Sequence, residues 1–263
     1  LMQVFGSGDS DPGISEVEVM EQLVLSLDHS GSIRASIASA RENARVTRDL
    51  IPKDAWIALN ELHGLIERQS FAGFDRSSRI RLLKQVISSC RLWHGCLVAS
   101  QARDLSWLFL RLGDRLEHAD MVSRLVDPRV TQMVPGASTR WSSYEAIGWQ
   151  NLLTALGGVE LYRHSARNQM HGSDVLDFVL RDTNFPQSMA AALHSVRRYL
   201  NKLPHQRVST DLLDGTIDGL TKLDLERLTP DLLTQNMDWI QQGLVTLHGH
   251  ISAEYFFFQS NSP

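Results

Sequence analysis

The stretch DLSWLFLRLGDRLEHADMVSRLVD, residues 104–127, decides the fold of this chain. It has no proline and a single glycine, Gly113. Its apolar residues recur at the three-and-four spacing of one helix face. About 24 residues rising about 1.5 Å each form a helix about 36 Å long, which is enough to span a domain. The sequence therefore predicts a long central helix whose apolar face consists of Leu105, Leu108, Phe109, Leu112, Leu116 and Ala119.

Segments with helical periodicity flank this central helix on both sides. Before it we expect helices over about 15–27, 32–50, 52–70 and 79–100. The last of these has a predicted core face of Leu83, Val86, Ile87, Cys90 and Trp93. After it we expect helices over about 143–156, 159–167, 173–181, 187–203, 210–223 and 231–258. Because alternation with a period of two is confined to short apolar runs, the predicted fold is an all-α helical bundle.

Two parts of the chain resemble each other. The segment LMQVFG at 1–6 matches LLTALG at 152–157, and residues 23–41 match residues 178–197. In this alignment Ser32 falls on Ser188 and Arg41 falls on Arg197. Repeats of this size stack related units around a shared core. We therefore predict a single domain over 1–263, built from two degenerate repeats of long antiparallel helices, with halves at about 1–100 and 101–258.

Composition excludes several classes of protein. The net charge of −4 and the pI near 6.2 disfavour a nucleic-acid binder, which needs a basic face to neutralise phosphates. No run approaches the roughly 18 apolar residues of a membrane span. The two cysteines, Cys90 and Cys96, point to different sides of one helix, so we expect no disulfide between them. Few cysteines and no signal peptide predict a cytoplasmic protein. A homo-oligomer is left open.

The polar face of the central helix is the first candidate site. Glu117 and Asp120 lie three residues apart on it, and Arg124 follows one turn later. Paired carboxylates of this kind do acid–base work or hold a cation or an amine-bearing substrate. An exposed helix face with ordinary ion pairs is an equally open reading. Gly113 lies one turn before Glu117 and would let a ligand or another backbone come close. The same face also carries Arg111, Asp114 and Arg115.

The second candidate is the run Arg41-Glu42-Asn43-Ala44-Arg45, which continues the basic stripe that begins at Arg34 and ends at Arg48. An arginine cluster of this kind binds a carboxylate or a phosphate. The alternative is that Arg41 and Arg45 form cross-helix salt bridges to Glu117 and Asp120. The histidines are too scattered for a metal site, and nucleophile, Walker and dinucleotide motifs are absent. We therefore expect neither a metal nor a cofactor.

These two motifs also carry a family resemblance. The segments FLRLGDRLEHADMVSRLVD at 109–127 and IRASIASARENARVTRDLIPKDAWIALNEL at 33–62 resemble the two hallmark helices of the bacterial alpha-E family. This is a helical family of unknown function, and the resemblance covers roughly residues 1–258. His118 stands where the family usually has arginine. Members usually begin with a further copy of the glutamate helix, so the resemblance implies about 50 more residues before Leu1, with that helix packed on the central one.

The resemblance implies a function by association. Members lie beside or are fused to circularly permuted ATP-grasp ligases and transglutaminase-like proteins, which implies a role in peptide or amide-bond metabolism. The first hypothesis is an accessory or substrate-binding helical protein that works with an ATP-grasp peptide or amide ligase. Its ligand would lie in a polar groove between the two motifs, bound by Arg41, Glu42, Asn43, Arg45, Arg111, Arg115 and Arg124. The second hypothesis is an enzyme that uses Glu117 and Asp120 as acid–base or metal-binding carboxylates.

Overall fold

The computed structural model describes residues 15–70, 75–127, 145–165, 171–204, 207–225 and 227–256. Over these residues it contains eleven α-helices and no strand, so the predicted all-α fold is confirmed. The chain divides into two compact units, Leu1–Asp104 and Leu105–Pro263. This division lies close to the predicted boundary between the two halves. That the halves form one domain and that they are repeats both stay predictions.

The first unit contains four helices that follow one another in space as they do in sequence. They are α1 (Glu16–Leu25), α2 (Ile33–Val46), α3 (Lys53–Glu67) and α4 (Arg76–Ser100), with a single 3-10 turn at Arg48–Leu50. Each packs against the next. The core of this unit is small and consists of Val24, Leu25, Ile37, Leu62, Ile66, Leu82 and Val86.

The second unit is built around the central helix, α5 (Leu105–Val126). The helices that follow are α6 (Glu145–Ala155), α7 (Val159–His164), α8 (Gly172–Arg181), α9 (Met189–Leu200), α10 (Arg207–Lys222) and α11 (Pro230–Tyr255). Helix α5 packs along α9 and α11, while α10 packs between α9 and α11 on another side. All of these helices contribute to one large apolar core, and α5 supplies Leu108, Leu112, Leu116, Ala119, Val122 and Val126 to it.

Local signals in the sequence explain where several helices begin and end. Ser15 and Glu18 form a reciprocal capping box at the start of α1, as the sequence pattern predicts. Ser32 caps α2, and Ser188 caps α9. Helix α6 stops where Gly157 adopts a φ of 66°, a left-handed conformation that glycine adopts without steric cost.

Three predicted core residues, one on α5 and two on α4, lie outside the core. Leu105 is 57% exposed. The aromatic residues at the end of α11, Tyr255 and Phe256, contact Phe109, which lies one turn after Leu105 on α5, and α11 ends there. On α4, Ile87 is 49% exposed and Cys90 is exposed. Helix α4 carries two apolar stripes, and α3 covers the other one, which includes Leu82, Val86 and Leu97. Periodicity alone does not say which stripe a neighbouring helix covers.

The remaining structural expectations have mixed outcomes. Cys90 and Cys96 are both free thiols, as predicted. No helix in the described part of the chain is both long and apolar enough to cross a membrane. At the C-terminal end of α11, Tyr255 packs against the core, and the next residue, Phe256, is 60% exposed. The segment 1–6 of the proposed repeat lies outside the described residues.

Candidate functional site

Three charged side chains of α5 form one cluster on its polar face. Asp114 Oδ2 lies 2.9 Å from Arg111 Nη1 and 2.9 Å from Arg115 Nη2. Both arginine side chains are only 15% exposed, whereas the Asp114 side chain is 33% exposed. The sequence brings the three together because they occupy adjacent or one-turn positions of a single helix. We call Arg111, Asp114 and Arg115 the arginine cluster.

Tyr199 of α9 belongs beside this cluster, and sequence reasoning missed it. Arg111 and Arg198 both act on its hydroxyl group, and the Arg198 guanidinium lies over its ring, 5.5 Å from the centroid. Burial alone raises the pKa of Tyr199, but the hydrogen bonds and positive charges of these two arginines outweigh burial and lower the pKa below its ordinary value. No motif pointed to Tyr199, because it comes near Arg111 only through the packing of α9 against α5.

The arginine cluster carries more positive than negative charge. Two largely buried guanidinium groups share a single carboxylate, so the three side chains have a net charge of +1. The guanidinium of Arg111 also lies over the Trp107 ring, 5.5 Å from its centroid. Its Nε atom is buried and has no hydrogen-bond partner among the residues that the structure describes. Buried donors are normally satisfied, so this N–H group is an unusual feature of the cluster.

The other predicted carboxylates of α5 do not join the cluster. Asp120 is bound by Arg124 of the next turn, with Arg124 Nε 2.7 Å from Asp120 Oδ2. Glu117 is exposed, and none of the hydrogen bonds or ion pairs among the described residues involves it. Because one carboxylate is already paired and the other faces solvent, the described contacts do not favour an acid–base pair. Over the residues that the structure describes, no group of histidine, cysteine, aspartate and glutamate side chains is arranged to hold a metal ion.

Gly113 and His118 of α5 lie in contrasting environments, one open and one half-buried. Gly113 is exposed, and a Cβ atom placed there would meet no other atom within 4 Å. His118 is half-buried, and its Nε2 donates to the main-chain oxygen of Gln187 over 3.0 Å. Burial lowers the pKa of His118, although the hydrogen bond to Gln187 opposes the shift. The hydrogen bond to Gln187 ties α5 to the residues just before α9.

The second motif is organised differently. Arg41 donates from Nε to Asn60 Oδ1 of α3 over 2.8 Å and lies over the Trp56 ring, which Arg48 also contacts. Arg45 pairs with Glu42 of its own helix at 2.6 Å, and both side chains are more than half exposed. The hydrogen bond from Arg45 lowers the pKa of Glu42. The Asn43 side chain is exposed.

The structure therefore groups the predicted site residues into separate sets. Arg111 and Arg115 belong to one cluster, Asp120 and Arg124 form a second pair, and Glu42 and Arg45 form a third. A groove or salt bridge joining Arg41 or Arg45 to Glu117 or Asp120 would link the two units. That arrangement stays a prediction.

Comparisons with known proteins agree with this helical description. The model of a family described as a predicted α-helical domain with a conserved ER motif matches residues 2–256. An uncharacterized protein of Mycobacterium bovis and one of Mycobacterium tuberculosis are each 21% identical to the chain over 186 residues, which cover 69% of it. The match spans only 20% of the length of either relative. No solved structure matches the chain.

Proposed function

The chain belongs to the Alpha-E family, and from this premise we propose that it is an accessory protein that binds a carboxylate-bearing substrate for an amide-forming ligase. The observation that carries the proposal is the arginine cluster of α5. There, two guanidinium groups that are 15% exposed share one aspartate, and no acceptor for Arg111 Nε lies within the described part of the chain. A bound carboxylate neutralises the excess charge and supplies that acceptor.

The chemistry of the cluster selects a carboxylate over other ligands. Guanidinium groups bind planar carboxylates through two parallel N–H bonds. Inside the protein, Arg115 donates to Asp114 from both Nε and Nη2, and both contacts end on the one oxygen Oδ2. A cation or an amine would be repelled by the net positive charge. The ligand therefore carries the group that an ATP-grasp ligase joins to an amine, which connects the site to the partner implied by the family resemblance.

The relatives support an accessory role. Each matched mycobacterial protein carries most of its length outside the match, so a region like this one works there as part of a larger protein. In the present chain, the exposed Glu117 and the paired Asp120 leave α5 without an evident reacting group. The proposed role is to hold and present a substrate, and the ligase, alone or together with a transglutaminase-like protein, performs the chemistry.

Co-purification from the native host tests this function. A tagged chain is isolated under gentle conditions, and mass spectrometry identifies both proteins and small molecules that remain bound. We expect an ATP-grasp ligase among the proteins and a carboxylate-bearing compound among the small molecules. Recovery of neither, with the protein folded, would contradict the proposal.

Matched variants separate the two parts of the proposal. The double variant Arg111→Gln/Arg115→Gln should lose the small molecule and retain the protein partner. Arg163→Gln removes an arginine that is 62% exposed and serves as the control for charge alone. Glu117→Gln tests the enzyme hypothesis, because loss of product in the host with normal folding would support a reacting carboxylate on α5.

A further inference from the structure

Helices α2 and α9 begin with the same uncommon arrangement. Ser32 and Ser188 are both fully buried, and each accepts a hydrogen bond of 3.0 Å from the backbone N–H three residues further on. Each serine hydroxyl also donates to a main-chain oxygen six residues earlier, that of Ser26 for Ser32 and that of Asp182 for Ser188. An N-cap explains the first bond but not the second. The segments that precede the two helices therefore have the same hydrogen-bonding pattern.

The likeness continues along both units. Arg41 donates to Asn60 of the next helix, and Arg197 donates to Asp214 of the next helix. These arginines lie at equal distances in sequence from the two serines. Each unit then ends in a long helix, α4 or α11, and both helices carry a His-Gly pair near their C-terminal ends, at 94–95 and 248–249. Helices α1 to α4 therefore correspond in order to α8 to α11.

Three helices of the second unit, α5, α6 and α7, have no counterpart among the described residues of the first, and of these α5 is the one that packs on both α9 and α11. Helix α5 covers a face formed by α9 and α11. It contacts that face through Arg111 and His118 on the α9 side and through Asp127 on the α11 side, where Thr234 donates to its carboxylate over 3.3 Å. The buried positions of this face are Ala192 and Val196 of α9 and Met237 and Leu244 of α11.

Part of the corresponding face of the first unit is exposed, whereas Ala40 and Leu83, which take the places of Val196 and Met237, are half-buried. On α2, Ser36 and Asn43 take the places of Ala192 and Tyr199, and both are exposed. On α4, Ile80 takes the place of Thr234 and is 45% exposed, while Cys90 takes the place of Leu244 and is exposed. Ile87, at 49% exposure, completes an apolar stripe on this side. We call Ser36, Asn43, Ile80, Ile87 and Cys90 the open face.

We propose that the open face is a docking site for an amphipathic helix of the α5 type. The second unit shows which occupant fits, because α5 covers the equivalent face there. The occupant is a helix of about six turns with apolar residues at three-and-four spacing. It carries an arginine that reaches Asn43, as Arg111 of α5 reaches Tyr199, which takes the place of Asn43 in the second unit. The small side chain of Ser36 lets its backbone approach α2 closely.

The test adds a synthetic α5 peptide, residues 104–127, to the intact chain. Binding is followed by fluorescence anisotropy, and the accessibility of Cys90 is followed by its rate of alkylation in a Cys96→Ala background. We expect saturable binding of one peptide per chain and at least a fivefold slower alkylation of Cys90. Because Cys90 lies on the open face, its protection distinguishes this binding from exchange of the peptide with α5 in the second unit.

Two exposed apolar residues of α4 provide matched variants. Ile87→Asp places a charge on the open face and should weaken peptide binding at least tenfold. Leu92→Asp is the control, because Leu92 is 56% exposed but lies about 140° around the helix from Ile87. Circular dichroism confirms that both variants fold. Unchanged alkylation of Cys90 with saturating peptide would overturn the proposal. So would self-association of the chain that Ile87→Asp abolishes, since the occupant would then be a second copy.

Discussion

The polar faces of α5 and α2 have similar compositions but different surroundings. In α5, Arg111 and Arg115 are 15% exposed and share one carboxylate. In α2, Arg45 is 59% exposed and has Glu42 to itself. An exposed pair within one helix contributes little to stability, whereas largely buried charges must be balanced. The comparison teaches that burial and charge balance, rather than the number of arginines, distinguish a binding site from a solvated helix face.

Asp114→Asn gives the largest expected effect and tests the comparison directly. The substitution leaves two largely buried guanidinium groups without their shared carboxylate, so we expect a loss of about 2–3 kcal/mol in the free energy of unfolding. Chemical denaturation measures this loss. The matched variant in α2, Glu42→Gln, should leave the unfolding midpoint unchanged. Equal effects of the two substitutions would contradict the distinction between the two faces.

The N-caps of α2 and α9 should show what the two units share. Ser32→Ala and Ser188→Ala each remove a cap and the hydroxyl group that donates to a main-chain oxygen six residues earlier. We expect each to cost about 1–2 kcal/mol. Ser195→Ala, on the half-buried side of α9, is the control and should cost less. Hydrogen exchange resolves the two units separately, and a cost confined to one unit would count against their equivalence.

Gly113→Ala should have a smaller effect of opposite sign. Alanine favours a helix by about 1 kcal/mol relative to glycine, and a Cβ atom at this position meets no other atom within 4 Å. We therefore expect a higher melting temperature. A stabilised protein that binds the carboxylate more weakly would show that the ligand occupies the space above Gly113, one turn from the arginine cluster. Destabilisation would show that another backbone approaches this point.

The pH dependence of stability should report the smallest effect. Since the pKa of His118 is lowered in the folded state, the unfolded chain binds more protons as pH falls. The stability that neutral His118 contributes is therefore fully present above its ordinary pKa of 6.5 and is lost as pH falls toward the lowered value. His194 shifts in the same direction. Melting curves of His118→Gln should consequently depend less on pH over this range than those of the wild type.

The sequence predicted the helices far better than their surroundings. Capping residues such as Ser15 and Ser188, and the glycine stop at Gly157, are local signals, so α1, α6 and α9 begin or end close to the expected residues. Burial of the second stripe of α4 depends on which side a neighbour occupies, and periodicity alone misplaced Ile87 and Cys90 in the core.

The candidate site could also be predicted only in part, because spacing along one helix is visible in the sequence and burial by other helices is not. Arg111 and Arg115 were recognised as candidates because they share a helix face with Asp114, and the structure groups all three. The charge imbalance became visible only once their burial was known. Tyr199 was missed because its contact with Arg111 joins positions far apart in sequence. Asp120 pairs with Arg124, which lies one turn further along the same helix. Spacing alone did not show which of several neighbouring arginines would bind Asp120.

The most direct test of the carboxylate site is an NMR titration that observes the Arg111 Nε–H resonance. The probes are N-acetyl-dialanine with a free carboxylate and the same compound as a C-terminal amide. Because none of the described residues accepts a hydrogen bond from Arg111 Nε, the carboxylate should shift this resonance saturably, and the amide should not. Arg115→Gln should weaken the response, and Arg163→Gln should leave it intact. A resonance that both probes leave unmoved, or move equally, would contradict the claim that α5 binds a carboxylate.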